Sequence, residues 1–219
     1  MASEVDIANL ALARLGDNAT VASLNPPEGS AQAEHCARFY PMARDSLLEM
    51  HPWGFSTTRV SLALLGTGWP EWDYTYAQPN DAINIIAVIS PTASDDYSIG
   101  TYSNDNQQSM SGGNYVPQPF SCEVDSNGNQ VIYTDLASAV LRYTSRVDDT
   151  TKFSPLFTDA LAWLLASYLA GPILKGDAGA AASRACLSAF NLIYSKAITS
   201  DANQRKVNPA QSVSWMAGR

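Results

Sequence analysis

Phe39-Tyr40-Pro41-Met42-Ala43-Arg44-Asp45-Ser46-Leu47-Leu48-Glu49-Met50-His51-Pro52-Trp53-Gly54-Phe55 opens with a helical pattern and closes on a hard stop. A proline pushes the residue before it out of the α region, so His51 ends the helix, and Gly54 lets the chain change direction. One structural regime finishes here and another begins. Pro52, Trp53 and Phe55 are the expected pins of that domain junction. The stretch carries no metal-ligand spacing and no phosphate loop, which suits a building block better than a catalyst.

Upstream of it the pattern is helical. Ser3 and Asp6 form a capping arrangement, Val5, Ala8, Leu12 and Leu15 recur on one face, and Gly16 stands where a helix ends. After the turn Asn25-Pro26-Pro27-Glu28-Gly29, Ser30 caps a second helix whose apolar side uses Ala33, Ala37, Tyr40, Leu47 and Leu48. Pro41 lies inside that pattern and predicts a kink or a break.

Downstream, from Thr57, β-branched and aromatic runs alternate with turn residues. Trp72-Asp73-Tyr74-Thr75-Tyr76 alternates as a half-buried strand does, and Ile83 to Ile89 is a short apolar run. Phe120 to Thr134 reads as a hairpin around Ser126-Asn127-Gly128-Asn129, with both central residues at positive φ. Val140 to Val147 adds a strand, and Ser94 to Gln118, rich in Ser, Asn, Asp, Gln and Gly, reads as a long exposed loop.

At Ser154-Pro155 a cap and an N1 proline restart the helical regime. Phe157, Leu161, Leu164, Leu165 and Tyr168 make a wide apolar stripe, and a last helix, Ala178 to Thr199, is expected to turn Leu187, Phe190 and Tyr194 inward. The order is helices, strands, helices. The predicted fold is therefore α+β, a helical bundle built from the N- and C-terminal helices with an inserted antiparallel β domain. Its expected parts are residues 1–56 and 148–200 for the helical body, 57–147 for the β domain with the 94–118 loop, and 201–219 for an extended C-terminal arm. In that arm Arg205, Lys206, Val213, Trp215 and Met216 are the expected anchors to a neighbouring copy or another protein.

Composition narrows the function. The 219 residues carry 13 Lys plus Arg against 21 Asp plus Glu, a net charge of -8, which opposes gripping nucleic acid through its phosphates. The start, Met1-Ala2-Ser3-Glu4-Val5-Asp6, lacks signal-peptide features, so synthesis in a reducing cytoplasm is expected. Cys36, Cys122 and Cys186 fit neither a disulfide framework nor a zinc site and read as small buried residues. Leu156 to Leu174 contains Asp159 and Pro172 and reads as a buried helix, not a membrane span.

Catalytic and cofactor signatures fail one by one. Cys36 cannot pair with the adjacent His35 on a helix. His51 serving a Cys or a carboxylate gives a hydrolase alternative, set against His51 satisfying groups at the helix end. Asp125-Ser126-Asn127-Gly128-Asn129 imitates a calcium loop but has Gln130 at the sixth position and Leu136 at the twelfth. Asp95-Asp96 and Asp148-Asp149 read as solvated loops and a cap region. No enzyme activity, no cofactor and no metal are expected.

Val5 to Gly16, Tyr40-Pro41 to Arg44-Asp45, His51-Pro52-Trp53-Gly54-Phe55, Tyr76 with Pro79-Asn80-Asp81, Leu141-Arg142-Tyr143-Thr144, and Phe157 to Leu169 together resemble the head-to-tail adaptors of short-tailed bacteriophages, often called tail tubular protein A. The likeness lies in the order and spacing of these motifs over about residues 3–199. Asn80 interrupts the Pro-Asp pair often seen there, and Gly54 stands where an Asn is common. The resemblance implies a non-enzymatic virion structural protein of the neck, made in the host bacterial cytoplasm. It implies a homo-oligomeric ring, commonly a dodecamer, between the portal protein and the tail nozzle protein, with genomic DNA passing through its lumen during ejection. The alternatives are a monomeric binding module using the 94–118 loop and, behind it, the His51 hydrolase.

Overall fold

The computed structural model describes residues 2–67, 69–92 and 118–204. The fold is α+β, with four α-helices and antiparallel sheets among the described residues. It divides into two compact units: residues 57–145 form one, and residues on both sides of that stretch, up to Ser56 and from Arg146 to Gln204, form the other.

The first unit holds α1 (Glu4–Arg14), α2 (Ala31–Glu49), α3 (Pro155–Leu174) and α4 (Gly176–Ala202). Each of the first three starts where its side-chain cap dictates. Ser3 and Asp6 make a reciprocal capping box, Ser30 accepts from the Ala33 amide, and Ser154 accepts from the Phe157 amide just before Pro155. Gly16 takes φ 77° immediately after α1, a conformation costly for any residue with a Cβ. A helix apolar on every side must be buried, and α3 packs against α1, α2 and α4. It is long and apolar enough to cross a membrane, yet Phe157, Leu161, Leu164, Leu165 and Leu169 are in the protein core.

Two helical expectations need correction. Of the kink or break expected at Pro41, the break does not occur: α2 continues past Pro41, whose missing N–H removes one ladder bond while the buried face from Ala33 to Leu48 keeps the helix going. In α4 the buried residues are Gly179, Cys186, Phe190 and Ala197, spaced 7, 4 and 7 apart, so Leu187 falls off the inward stripe and is exposed.

The second unit contains β1 (Thr57–Ser61), β2 (Leu64–Thr67), β3 (Tyr74–Ala77), β4 (Ala82–Ile89), β5 (Phe120–Val124), β6 (Gln130–Thr134) and β7 (Val140–Ser145). They pair as a three-stranded sheet in the order β1-β7-β4 and a four-stranded sheet in the order β2-β3-β6-β5, antiparallel throughout. Tyr76 and Ile132 from the larger sheet meet Val88, Leu141 and Tyr143 from the smaller in one buried cluster. Tyr76 also donates its hydroxyl to the Leu136 carbonyl at 2.8 Å.

The β5–β6 hairpin differs from the tight turn expected at Asn127-Gly128. Only Gly128 has positive φ, at 84°, and five residues link the strands. The reason is Asp125, whose Oδ1 accepts the amides of Asn127 and Asn129 at 2.8 Å each and so stabilises a wider loop.

Candidate interaction surfaces

His51 to Ser56 close the helical unit. Trp53 is fully buried there and donates its indole N–H to the Leu47 carbonyl at 2.8 Å. Its ring meets Phe157 edge-on at 5.1 Å, Tyr194 at 6.2 Å and Phe55 at 6.2 Å, while Phe55 reaches Phe153 and Phe157. These rings join the segment after α2 to α3 and α4. The residues expected at a domain junction, Pro52, Trp53 and Phe55, thus lie at the end of the first of the helical unit's two chain segments, and the partners of Trp53 and Phe55 named here belong to that unit.

His51 has a carboxylate within reach, since its Nε2 lies 3.3 Å from Asp201 on the last turn of α4. That carboxylate also accepts the Gly54 amide, at 3.1 Å to each oxygen. Asp201 therefore clamps the loop after α2 to the end of α4. Cys36 is fully buried, and burial, aided by Asp17, pushes its thiol up to about 11, which favours the neutral thiol at pH 7. Cys186 is buried too, whereas Cys122 on β5 is exposed, against the expectation of burial, because β5 ends the sheet order and pairs only with β6. Among the described residues no group of three or more His, Cys, Asp or Glu is placed to hold a metal ion.

Charged side chains tie the rest of the helical unit. Arg14 pairs with Asp159, donates to its carbonyl at 2.9 Å, and lies over the Trp163 ring at 4.2 Å. Arg44, 8% exposed, bridges Asp45 at 2.9 Å and Asp148 at 2.6 Å, and Arg146 joins Asp45 at 3.2 Å. Asp149 instead caps the short 3-10 turn at Thr150–Lys152. Asp148 and Asp149 thus have structural partners.

Two further features bear on binding. Away from its buried stripe α4 exposes Ala178, Ala180, Ala181, Ala185, Leu187 and Leu192 together with Ser188, Asn191, Ser195 and Thr199, and the charges of the 27-residue helix are Asp177, Arg184, Lys196 and Asp201. The second is a charge imbalance in composition: residues 57–145 contain Arg59 and Arg142 against nine carboxylates, a net of -7 out of the chain's -8. Sequence reading missed both. The alanines look like close-packing positions in a sequence, and their exposure depends on which stripe of α4 the fold buries.

No family model and no curated protein matches the chain. Arg205, Lys206, Val213, Trp215 and Met216, together with the 94–117 part of the expected loop, lie outside the described residues.

Proposed function

We propose that this chain is a head-to-tail adaptor subunit of a short-tailed bacteriophage, one of twelve copies in a ring between portal and tail nozzle. The observation that carries the reading is the exposed side of α4, where the small residues Ala178, Ala181 and Ala185 stand with Leu192 and few charges. Small side chains let another helix approach closely, and a ring needs heterologous contacts that close on themselves. Copies packed side by side through their helical units supply that contact. The acidic balance of the chain suits a lumen that passes DNA without holding it, because like charges repel the phosphates. Arg205, Lys206, Val213, Trp215 and Met216 then reach the portal or an adjacent copy. In this reading the protein is part of the virion neck and runs no reaction.

The test is a truncation. The full chain and a chain ending at Asn203 are mixed with portal particles and sedimented. The full chain co-sediments and the truncated one stays in the supernatant with an unchanged circular dichroism spectrum. Equal co-sedimentation contradicts the role given to the arm, and failure of the full chain to co-sediment contradicts the adaptor reading.

A further inference from the structure

The outer face of the four-stranded sheet carries a feature that ring assembly does not require. Tyr76 and Ile132 point into the β core, and alternation sends their neighbours Thr75 and Tyr133 to the opposite face. There Tyr133, Thr75, Glu123, Val124 and Asp125 line a hollow of about 510 Å³ with Trp69 at its side. That volume lies in the range of about 300–1,000 Å³ typical of small-molecule pockets. A smaller hollow shares Trp69 and Glu123 and adds Glu71 and Trp72.

Trp69 is 65% exposed although it is held in place. Its indole N–H donates to the Tyr133 hydroxyl at 3.0 Å, and its carbonyl accepts the Trp72 amide at 2.8 Å in a tight turn. An exposed, anchored indole presents a rigid π-face with little entropy left to lose on binding. The carboxylates beside it are fixed as well. Glu123 accepts from the Ser121 hydroxyl at 2.9 Å, and Asp125 is kept below the usual carboxylate range by the backbone and side chain of Asn129 and by Asn127. Residues 60–141 contain no Lys, Arg or His, so no cation of that stretch neutralises Glu71, Glu123 and Asp125.

We propose that this hollow docks a basic segment of a partner protein, with a Lys or Arg side chain lying against Trp69 and its charge directed at Glu71 and Glu123. A guanidinium stacks on an indole face and forks to a carboxylate, which matches both halves of the site. The charge of the surrounding unit draws such a segment in from solution. A neutral sugar also stacks on tryptophan and its hydroxyls can donate to carboxylates, but it leaves their charge unneutralised, which a cationic side chain does not. The proposal goes beyond the adaptor reading and stands or falls without a portal.

The probe is an arginine-rich nonapeptide added to the full chain, followed by the Trp69 indole N–H resonance and by tryptophan fluorescence. Controls are a peptide with Glu in place of Arg and a neutral glucose oligosaccharide. The Arg peptide shifts the Trp69 resonance and binds more weakly as salt rises. Trp69→Phe retains part of the affinity, while Trp69→Ala and Glu123→Gln each lower it by about fivefold or more, and Asp177→Asn on α4 leaves it unchanged. Any of four results overturns the proposal: no shift at millimolar peptide, equal binding by Glu123→Gln, an equal loss in Asp177→Asn, or a stronger response to the oligosaccharide.

Discussion

The carboxylate of Asp201 accepts the backbone N–H of Gly54, with both oxygens 3.1 Å from the nitrogen, across 147 residues of sequence. His51 joins the same carboxylate, and Tyr194, about two turns earlier on α4, donates to the Met50 carbonyl at 2.9 Å. A Cβ at position 54 would stand 3.4 Å from Asp201 Oδ1, ordinary contact, so it is the amide and not the missing side chain that Asp201 recognises. The end of the last helix is thereby fastened to the point where the chain leaves the helical unit.

Asp201→Ala removes a charge-assisted hydrogen bond and leaves the Gly54 amide without this acceptor. The expected loss is about 1–2 kcal/mol of stability, with faster hydrogen exchange at Gly54 and in the last turn of α4. Exchange at wild-type rates in both places contradicts the clamp.

Trp53→Ala opens a cavity among Phe157, Phe55 and Tyr194 and orphans the Leu47 carbonyl. A loss of about 3–5 kcal/mol is expected, read in urea unfolding. Hydrogen exchange should rise in α2, α3 and α4 while residues 57–145 stay protected, and ring assembly should weaken with it. Increased exchange confined to residues 57–145 would place Trp53 elsewhere in the architecture.

Gly179→Ala tests how closely α3 and α4 approach. The added Cβ would sit 2.9 Å from the Ala170 carbonyl oxygen and 3.4 Å from Gly171 Cα, both backbone atoms that cannot swing aside. Alanine is the better helix former, so helix propensity alone predicts stabilisation. The clash predicts the opposite, a loss of about 1–3 kcal/mol in thermal or urea unfolding.

The Tyr143 hydroxyl donates to Asp81 at 3.0 Å, and burial followed by that bond pushes it up to about 12. The folded state thus holds the phenol proton more tightly than the unfolded chain, whose tyrosines titrate near 10. Its contribution to stability is complete below about pH 10 and is lost as pH rises towards about 12. Tyr143→Phe should flatten that part of the stability–pH curve. An unchanged alkaline slope in the variant contradicts the assignment.

Most of the helical layout was legible because local rules decide it. Ser3, Ser30 and Ser154 cap three helices where short-range hydrogen bonding places them, and Pro155 marks an N1 position on its own. Two of the departures have long-range causes. Pro41 stays inside α2 because burial on both sides of it outweighs one lost ladder bond, and Leu187 turns outward because Gly179 fixes which stripe of α4 meets α3. The Asn127-Gly128 turn widened through a side chain two residues upstream. The hollow at Trp69 was not legible at all, since Tyr133, Glu123 and Trp69 converge only once β6 pairs with both β5 and β3.

The adaptor account meets its most direct test in native mass spectrometry of the full chain mixed with the portal protein of the same phage. It predicts a single added mass of twelve chains on the portal ring, and loss of that species when Leu187→Asp and Leu192→Asp charge the exposed face of α4. A chain that stays monomeric beside the portal, or that binds in unchanged number with both substitutions, contradicts it.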